Sequence, residues 1–300
     1  MSHSIAVRSY AKINWSLEVL SRRADGYHEI RTVFQTVSLF DTLRISRIES
    51  GIEIECNDPD VPVDETNLVH KAVRQLNKRW SGDLGLRVEI EKRIPVAGGL
   101  GGGSSNAAAA VLAADKLLRL GLSEIEQSSL AAELGSDVSF FLSGGTMLGT
   151  GRGEKLQQLE DIDCPNIVLA NPRTLVSTAR AYENFSRLTR PGAARMIPFN
   201  LLAAGGTGQR PPELRNDLEE AVIAFAPEIG ELKQRLLSLG AQGVLMCGSG
   251  ATVFGVFDKL ETSELAVSEI EKSGAWASRV RTIGRQEYRN SLFERRSESA

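Results

Sequence analysis

Five glycines occupy the six positions Gly98-Gly99-Leu100-Gly101-Gly102-Gly103, and Ser104-Ser105-Asn106 then leads into the apolar run Ala107 to Ala114. Without side chains, successive backbone N–H groups can turn inward on an anion. The alanines behind them favour a helix, with Ser104, Ser105 or Asn106 available to cap it. A helix N-terminus carries unpaired donors and roughly +0.5 of a charge, so a glycine loop feeding it makes a polyphosphate site. Glycine clusters also serve as hinges and tight turns. The loop is not a Walker loop, since no Gly-Lys-Ser/Thr follows, and its spacing differs from the Gly-x-Gly-x-x-Gly of dinucleotide folds.

Other candidates are scattered along the chain. From Val7 to Leu20 the residues alternate, with Ile13, Trp15, Leu17 and Val19 on one face and Lys12, Asn14, Ser16 and Glu18 on the other. Lys12 and Asn14 therefore share a polar face, which is either a solvated strand edge or half of a site. Asp25-Gly26 makes a turn that sets Tyr27 and His28 just past it, as packing residues or as ligands. Asp137 stands at the beginning of a short apolar helix read over Ser136 to Leu142, where a carboxylate serves as an N-cap or as a reactive group.

The elements that must position these residues follow from periodicity. Strands are expected over Arg31 to Leu39, Asp41 to Ile48, Gly51 to Cys56 and Arg87 to Ile94, the last running into the glycine loop. Helices are expected over Asn67 to Trp80, from about Ser104 to Leu120, and after the capping box Ser123-Glu-Ile-Glu126. Strands follow over Gly144 to Gly153 and Glu154 to Leu159. Asp161-Ile-Asp-Cys-Pro165 is the expected domain boundary, giving domains 1–160 and 161–300. Beyond it come a strand at Asn166 to Ala170, a helix at Ser177 to Leu188, a loop at Arg190 to Pro212, and helices at Glu213 to Ala226 and Pro227 to Leu239. Strands at Gly243 to Cys247 and Thr252 to Phe257 flank Gly248-Ser249-Gly250. A helix at Ser263 to Ser273 and a strand at Ala277 to Ile283 follow; setting the extra helices aside, the order is β-α-β-β-α-β, the ferredoxin-like plan. The charged tail from Gln286 is expected to be loosely ordered.

Three hundred residues suffice for two domains with separate cores. A net charge of −3 offers no bulk attraction to nucleic acid. No apolar run approaches the roughly 20 residues of a membrane span, and no basic-then-apolar leader opens the chain. Cys56, Cys164 and Cys247 are far apart, as reduced thiols of a cytoplasmic protein would be. The three histidines show no metal-ligand spacing.

Lys12-Ile-Asn14, Pro95 to Ala107, and Met246-Cys-Gly248-Ser249-Gly250-Ala-Thr-Val-Phe-Gly255 together resemble, in order and spacing, the three motifs of the GHMP kinases. Ala11-Lys-Ile-Asn-Trp-Ser-Leu with Arg23-Ala-Asp-Gly-Tyr-His28 points more narrowly, to the members whose acceptor is a cytidine-diphosphate-linked methylerythritol. Gly135-Ser-Asp137-Val138, Val176-Ser-Thr178 with Tyr182, and Asn216-Asp-Leu-Glu219 add to the likeness, which spans nearly the whole chain. The resemblance implies an α+β fold, with an N-terminal domain like domain 2 of ribosomal protein S5 and a ferredoxin-like C-terminal domain.

It also implies transfer of the ATP γ-phosphoryl to the acceptor's 2-hydroxyl. Asp137 would take the proton, with Lys12 holding that carboxylate ionised. ATP would meet Gly98, Gly99, Leu100, Gly101, Gly102, Gly103, Ser104, Ser105 and Asn106, with Lys92 near the adenine. Tyr27 and Tyr182 would sandwich the cytosine and His28 would bond its edge; many relatives carry Phe where Tyr182 stands. Asn14 and Thr178 would meet substrate hydroxyls or phosphates, and Gly248 and Ser249 would brace the phosphate region. Magnesium is implied by phosphoryl transfer, with Ser105 the candidate ligand, because the acidic ligand of some other GHMP kinases has no clear counterpart here. The competing readings are a GHMP kinase with a mevalonate-type or homoserine-type acceptor, and a catalytically silent nucleotide-binding protein. Monomer and homodimer both stay open.

Overall fold

The computed structural model describes residues 4–79, 85–188 and 214–293. The loop expected over Arg190 to Pro212 lies outside the described residues. The first half of the chain builds β1 (Ser4–Arg22), β2 (His28–Arg47), β3 (Ile52–Cys56), α1 (Leu68–Arg79), β4 (Leu86–Glu91), α2 (Gly102–Leu118), α3 (Glu124–Leu134), β5 (Thr146–Gly151) and β6 (Lys155–Gln158). A sheet in the order β3-β4-β2-β1 has β5 paired on β2 and β6 on β5. The two strands expected between Arg31 and Ile48 are one 20-residue strand. Its first part pairs with β5 and its second with β4. Between them the pairing with β1 slips from Tyr10↔Phe40 to Lys12↔Thr36, so the strand bulges where a turn was expected.

Helix α2 lies against this sheet by its small residues, since Ala107, Ala108, Ala109 and Ala110 are all buried beside Val7, Leu43 and Ile45. It begins at Gly102, with Gly101 as N-cap in the left-handed region (φ 71°) and no side-chain cap. Ser104, Ser105 and Asn106 therefore do not cap it, because Gly101 takes the left-handed turn without Cβ strain and starts the helix earlier. Helix α3 has the expected capping box between Ser123 and Glu126. The helix expected over Ser136 to Leu142 is a series of turns ending in one 3-10 turn, Phe140–Leu142.

The second half builds β7 (Ile167–Asn171), α4 (Thr178–Leu188), β8 (Arg215–Asn216), α5 (Glu219–Ile223), α6 (Pro227–Ser238), β9 (Gly243–Met246), β10 (Val253–Val256), α7 (Leu260–Lys272), β11 (Trp276–Val280) and α8 (Arg285–Ser291). Its antiparallel sheet runs β11-β7-β10-β9, the ferredoxin-like order. Ile229, Leu232, Leu236, Ala266 and Ile270 from α6 and α7 cover it beside Val168 and Val253.

The two halves share a core. Ile13 and Trp15 of β1 are fully buried with Leu169, Leu245 and Phe254 of the second sheet, and Trp15 meets Phe254 edge-on at 5.5 Å. The chain also returns twice to the first sheet. Instead of the helix expected over Glu213 to Ala226, Arg215 and Asn216 add a short parallel strand to β1 and α5 spans only Glu219–Ile223. The Asn216 side chain explains this, since its Nδ2 donates to the carbonyls of Met246 and Gly248 at 2.9 and 2.7 Å. The tail is also ordered through Phe293: Tyr288 of α8 is buried and donates its hydroxyl to the Phe141 carbonyl.

Candidate active site

A cleft of about 1060 Å³ is lined by both halves of the chain, from the α2 N-terminus to the turn carrying Tyr27 and to helix α4. At one end lies the glycine loop. A Cβ on Gly99 (φ 75°) would stand 2.0 Å from the Cys247 carbonyl oxygen, and one on Gly101 would strike the Phe141 ring at 2.8 Å. Loop and Gly248 turn thus lie backbone on backbone, which only glycine permits. The N–H of Ser105 is taken by the Gly101 carbonyl at 2.8 Å. Those of Gly102, Gly103 and Ser104 precede it as the first three of α2, whose residues line the cleft. That is an anion-binding helix start.

Lys12 and Asn14 do not lie on a solvated edge: they are 4% and 1% exposed. Lys12 Nζ donates to Asn14 Oδ1 at 2.8 Å and stands 3.5 Å from Asp137 Oδ2. Asn14 Nδ2 donates to Thr32 Oγ1 at 2.7 Å, and Thr32 donates to the Ser16 carbonyl, so the amide is held with its oxygen toward the ammonium. Asp137 caps no helix, and its side chain is one-third exposed to the cleft. A half-open carboxylate against a buried ammonium is suited to accept a proton from a hydroxyl. Burial first, and the Asp137 charge second, push the Tyr182 phenol well above its usual range. The Cys247 thiol is pushed up to about 12 by burial, although Lys12 pulls the other way, and it is not a nucleophile at neutral pH.

The other end of the cleft is aromatic. His28 and Tyr182 stack at 5.2 Å with 21° between their planes, and Tyr27 is 58% exposed with the Arg152 guanidinium 4.8 Å over its ring. The expected sandwich of Tyr27 and Tyr182 is therefore not preformed. Each ring stacks on another partner, which a base would have to exchange. Ser186 Oγ donates to the Tyr182 carbonyl, so His28 Nε2, 3.0 Å away, carries the proton in their hydrogen bond and Nδ1 is left as an acceptor. Burial, and then Arg22, hold the His28 ring below its ordinary 6.5. Thr178 and Ser249 join their hydroxyls at 2.9 Å on the cleft wall.

Most of the expected site residues line this one cleft: Lys12, Asn14, Tyr27, His28, Lys92, Gly98 to Ser104, Asn106, Asp137, Thr178, Tyr182, Gly248 and Ser249. Ser105 does not. It is 1% exposed and its Oγ accepts from Ser9, turned away by the helix phase, so its expected place as a metal ligand is not supported. Lys92 lies at the start of α2, its Nζ 2.9 Å from where a Gly102 Cβ would stand. Sequence reasoning named Asn216 only within a motif, without a role, and missed Thr32, Asp41, Arg152 and Ser186. Asp41 had a signal, being a carboxylate inside an apolar strand pattern. The others carried none without the partners that the fold brings to them.

The glycine loop on a helix start, the Lys12–Asp137 pair and the two-sheet architecture define a GHMP-type small-molecule kinase. Residues 67–145 match the GHMP kinases N terminal domain and residues 204–275 match the GHMP kinases C terminal region. The sequence is 45% identical over 267 residues to a 4-diphosphocytidyl-2-C-methyl-D-erythritol kinase of Synechococcus sp. (strain JA-2-3B'a(2-13)), covering 85% of this chain and 86% of that one. A crystal structure of 4-(cytidine 5'-diphospho)-2C-methyl-D-erythritol kinase superposes with a TM-score of 0.80 at 33% identity, over 93% of this chain and 100% of that one. A mevalonate kinase of L. major in complex with R-mevalonate, at 15% identity and a TM-score of 0.67 over 93% and 96% of the two chains, shares the fold. The chain belongs to the 4-diphosphocytidyl-2-C-methyl-D-erythritol kinase family.

Proposed function

We propose that this protein transfers the γ-phosphoryl of ATP to the 2-hydroxyl of 4-diphosphocytidyl-2-C-methyl-D-erythritol, giving the 2-phosphate and ADP in non-mevalonate isoprenoid precursor synthesis. One observation carries the reading: a proton acceptor, Asp137, faces the same cleft as a helix start shaped for polyphosphate and an aromatic end fitted to a base. The free N–H groups of Gly102, Gly103 and Ser104 receive ATP phosphate oxygens, replacing water by fixed dipoles where charge accumulates. Asp137 removes the acceptor proton as its oxygen attacks. Lys12, steadied by Asn14, pairs with the Asp137 carboxylate and offsets charge on the transferring group.

The acceptor's cytosine takes the other end. Tyr182 and Tyr27 offer ring faces, and neutral His28 offers Nδ1 to the exocyclic amine of the base. A mevalonate or homoserine has no base to use these groups. Magnesium would accompany ATP and supply neutralisation of phosphate charge. Among the described residues no three His, Cys, Asp or Glu side chains gather into a metal site, and an ion held chiefly by phosphate oxygens and water suits such a cleft. The Ser104 hydroxyl at the helix start and the Asp137 carboxylate are the side chains to meet it. Domains 1–160 and 161–300 remain our division, supported by the two sheets. Dispersed free cysteines support a place in the cytoplasm.

The test is ADP release from magnesium ATP with 4-diphosphocytidyl-2-C-methylerythritol, mevalonate or homoserine as acceptor. Turnover with the cytidine compound alone is expected. Turnover only with another acceptor discards the base pocket, and ATP binding without turnover on any acceptor makes the protein a nucleotide-binding one without the activity.

A further inference from the structure

Behind the glycine loop lies a carboxylate that none of the chemistry above uses. Asp41 is completely buried on β2, paired with Ser9 of β1 just past the bulge between Thr36 and Phe40. Its Oδ1 accepts from the backbone N–H of Arg93 and of Ile94, each at 2.8 Å. Its Oδ2 accepts from Lys92 Nζ at 2.8 Å and from Asn106 Nδ2 at 2.9 Å. All four partners are donors, and they come from the exit of β4 and the first turns of α2, the two elements that flank the glycine loop.

We propose that Asp41 is a positioning residue for the nucleotide, setting the loop between Lys92 and Asn106 at the spacing that lets the α2 N-terminus receive phosphate; the proposal rests on the ATP-dependent reading above. Two ties set that spacing. On the strand side, Asp41 fixes the Arg93 and Ile94 amides and clamps Lys92, whose Nζ also donates to the Ile94 carbonyl at 2.6 Å. The clamp leaves the ammonium against Gly102, the first residue of α2, with one of its three protons uncommitted beside the cleft. On the helix side, Asn106 is held by Asp41 and by Ser9 Oγ at 2.8 Å, and Ser9 in turn donates to Ser105. The glycines between have no side chains; the loop is held in its middle by backbone bonds from Thr252 N–H to the Gly98 carbonyl and from Lys12 N–H to the Leu100 carbonyl, at 3.1 and 3.0 Å, and at its two ends by Asp41. Only an acceptor with two oxygens satisfies four converging donors. Asparagine would turn an NH₂ toward donors already there.

Asp41 touches no substrate, so its loss is read on the nucleotide and not on the chemical step. With Asp41→Asn, the KM for ATP is expected to rise about tenfold or more, while kcat at saturating ATP and the KM for the acceptor stay within about threefold. ATP binding titrated without acceptor should weaken in parallel. Asn106→Leu alone, which keeps the Asp41–Lys92 pair, should weaken ATP about threefold. It decides the matter if Asp41→Asn does not fold, and unchanged ATP binding in it then overturns the proposal. Equal loss of kcat with ATP binding preserved in Asp41→Asn also overturns it and leaves the proposed kinase standing. A wild-type protein that takes up no ATP overturns both.

Discussion

At the phosphate end of the cleft the Lys12 side chain is 5% exposed, and backbone meets backbone so closely that a Gly99 Cβ would fall 2.0 Å from a carbonyl oxygen. At the base end Tyr27 is 58% exposed and His28 is held through one hydroxyl and the rings of Tyr182 and Phe185. The first end is assembled on β1, β2 and α2, where both faces of β1 are covered. The second is a turn and a helix from opposite halves of the chain. Charge development in phosphoryl transfer rewards groups that need no reorganisation, so the reacting end is prebuilt. A base can be received by rings that change partners, since stacking tolerates displacement.

Breaking that comparison at its strongest point means Asp137→Asn, which should lower kcat by about 10²- to 10⁴-fold while ATP binding, read by titration, is retained. Near-normal turnover would remove Asp137 as the proton acceptor. The rigidity of the phosphate end is tested by Gly99→Ala against Gly26→Ala. Both positions have positive φ, but only Gly99 has an atom in the way, whereas Gly26 has nothing within 4 Å. Thermal denaturation should show a loss of about 2–3 kcal/mol for Gly99→Ala and about 1 kcal/mol for Gly26→Ala. Equal losses would mean the contact with Cys247 yields easily.

At the base end, Tyr182→Ala should raise the acceptor KM about tenfold, or about 1.4 kcal/mol, within the range for stacking on one base. The KM for ATP should not change, and Tyr182→Phe should keep the stack. A rise for both substrates would make Tyr182 a structural residue.

The smallest effect is one of pH. Burial lowers the folded pKa of His28 below 6.5. Between that folded value and 6.5 the unfolded chain binds more protons, so this group's contribution to stability is present above 6.5 and is lost as pH falls through that window. Protonation also turns Nδ1 from acceptor to donor. The acceptor KM should therefore rise as pH falls below about 6.5, with the KM for ATP flat and the dependence absent in His28→Gln. A KM that does not change with pH would separate His28 from the base.

The phosphate end was the more legible of the two in sequence. Five glycines before an alanine run state a loop and a helix together, because backbone freedom and helix propensity are local properties. Alternation along β1 put Lys12 and Asn14 on one face for the same reason. Local pattern failed where the chain met something distant. Arg215 and Asn216 have helical surroundings but pair with β1, and Asp41 reads only as the first residue of a strand until four donors surround it. Ser105 was misplaced through helix phase, which a start two residues too late cannot give. At the base end the motif named Tyr27, His28 and Tyr182, yet neither Arg152 over Tyr27 nor Ser186 on His28 could be anticipated from spacing.

Composition and order along the chain were enough for the two-part α+β architecture, the β-α-β-β-α-β plan of the second half, and the identity of the loop as a backbone anion site, since each depends on periodicity or on residues adjacent in sequence. Which face of β1 carries the reaction was decided only in three dimensions. Ile13 and Trp15 are covered by the second sheet, and that leaves the face of Lys12 and Asn14 to be closed by Asp137, 125 positions beyond Lys12 in the chain. Burial and charge pairing are properties of that packing, and a lysine in an alternating strand acquires its role from them.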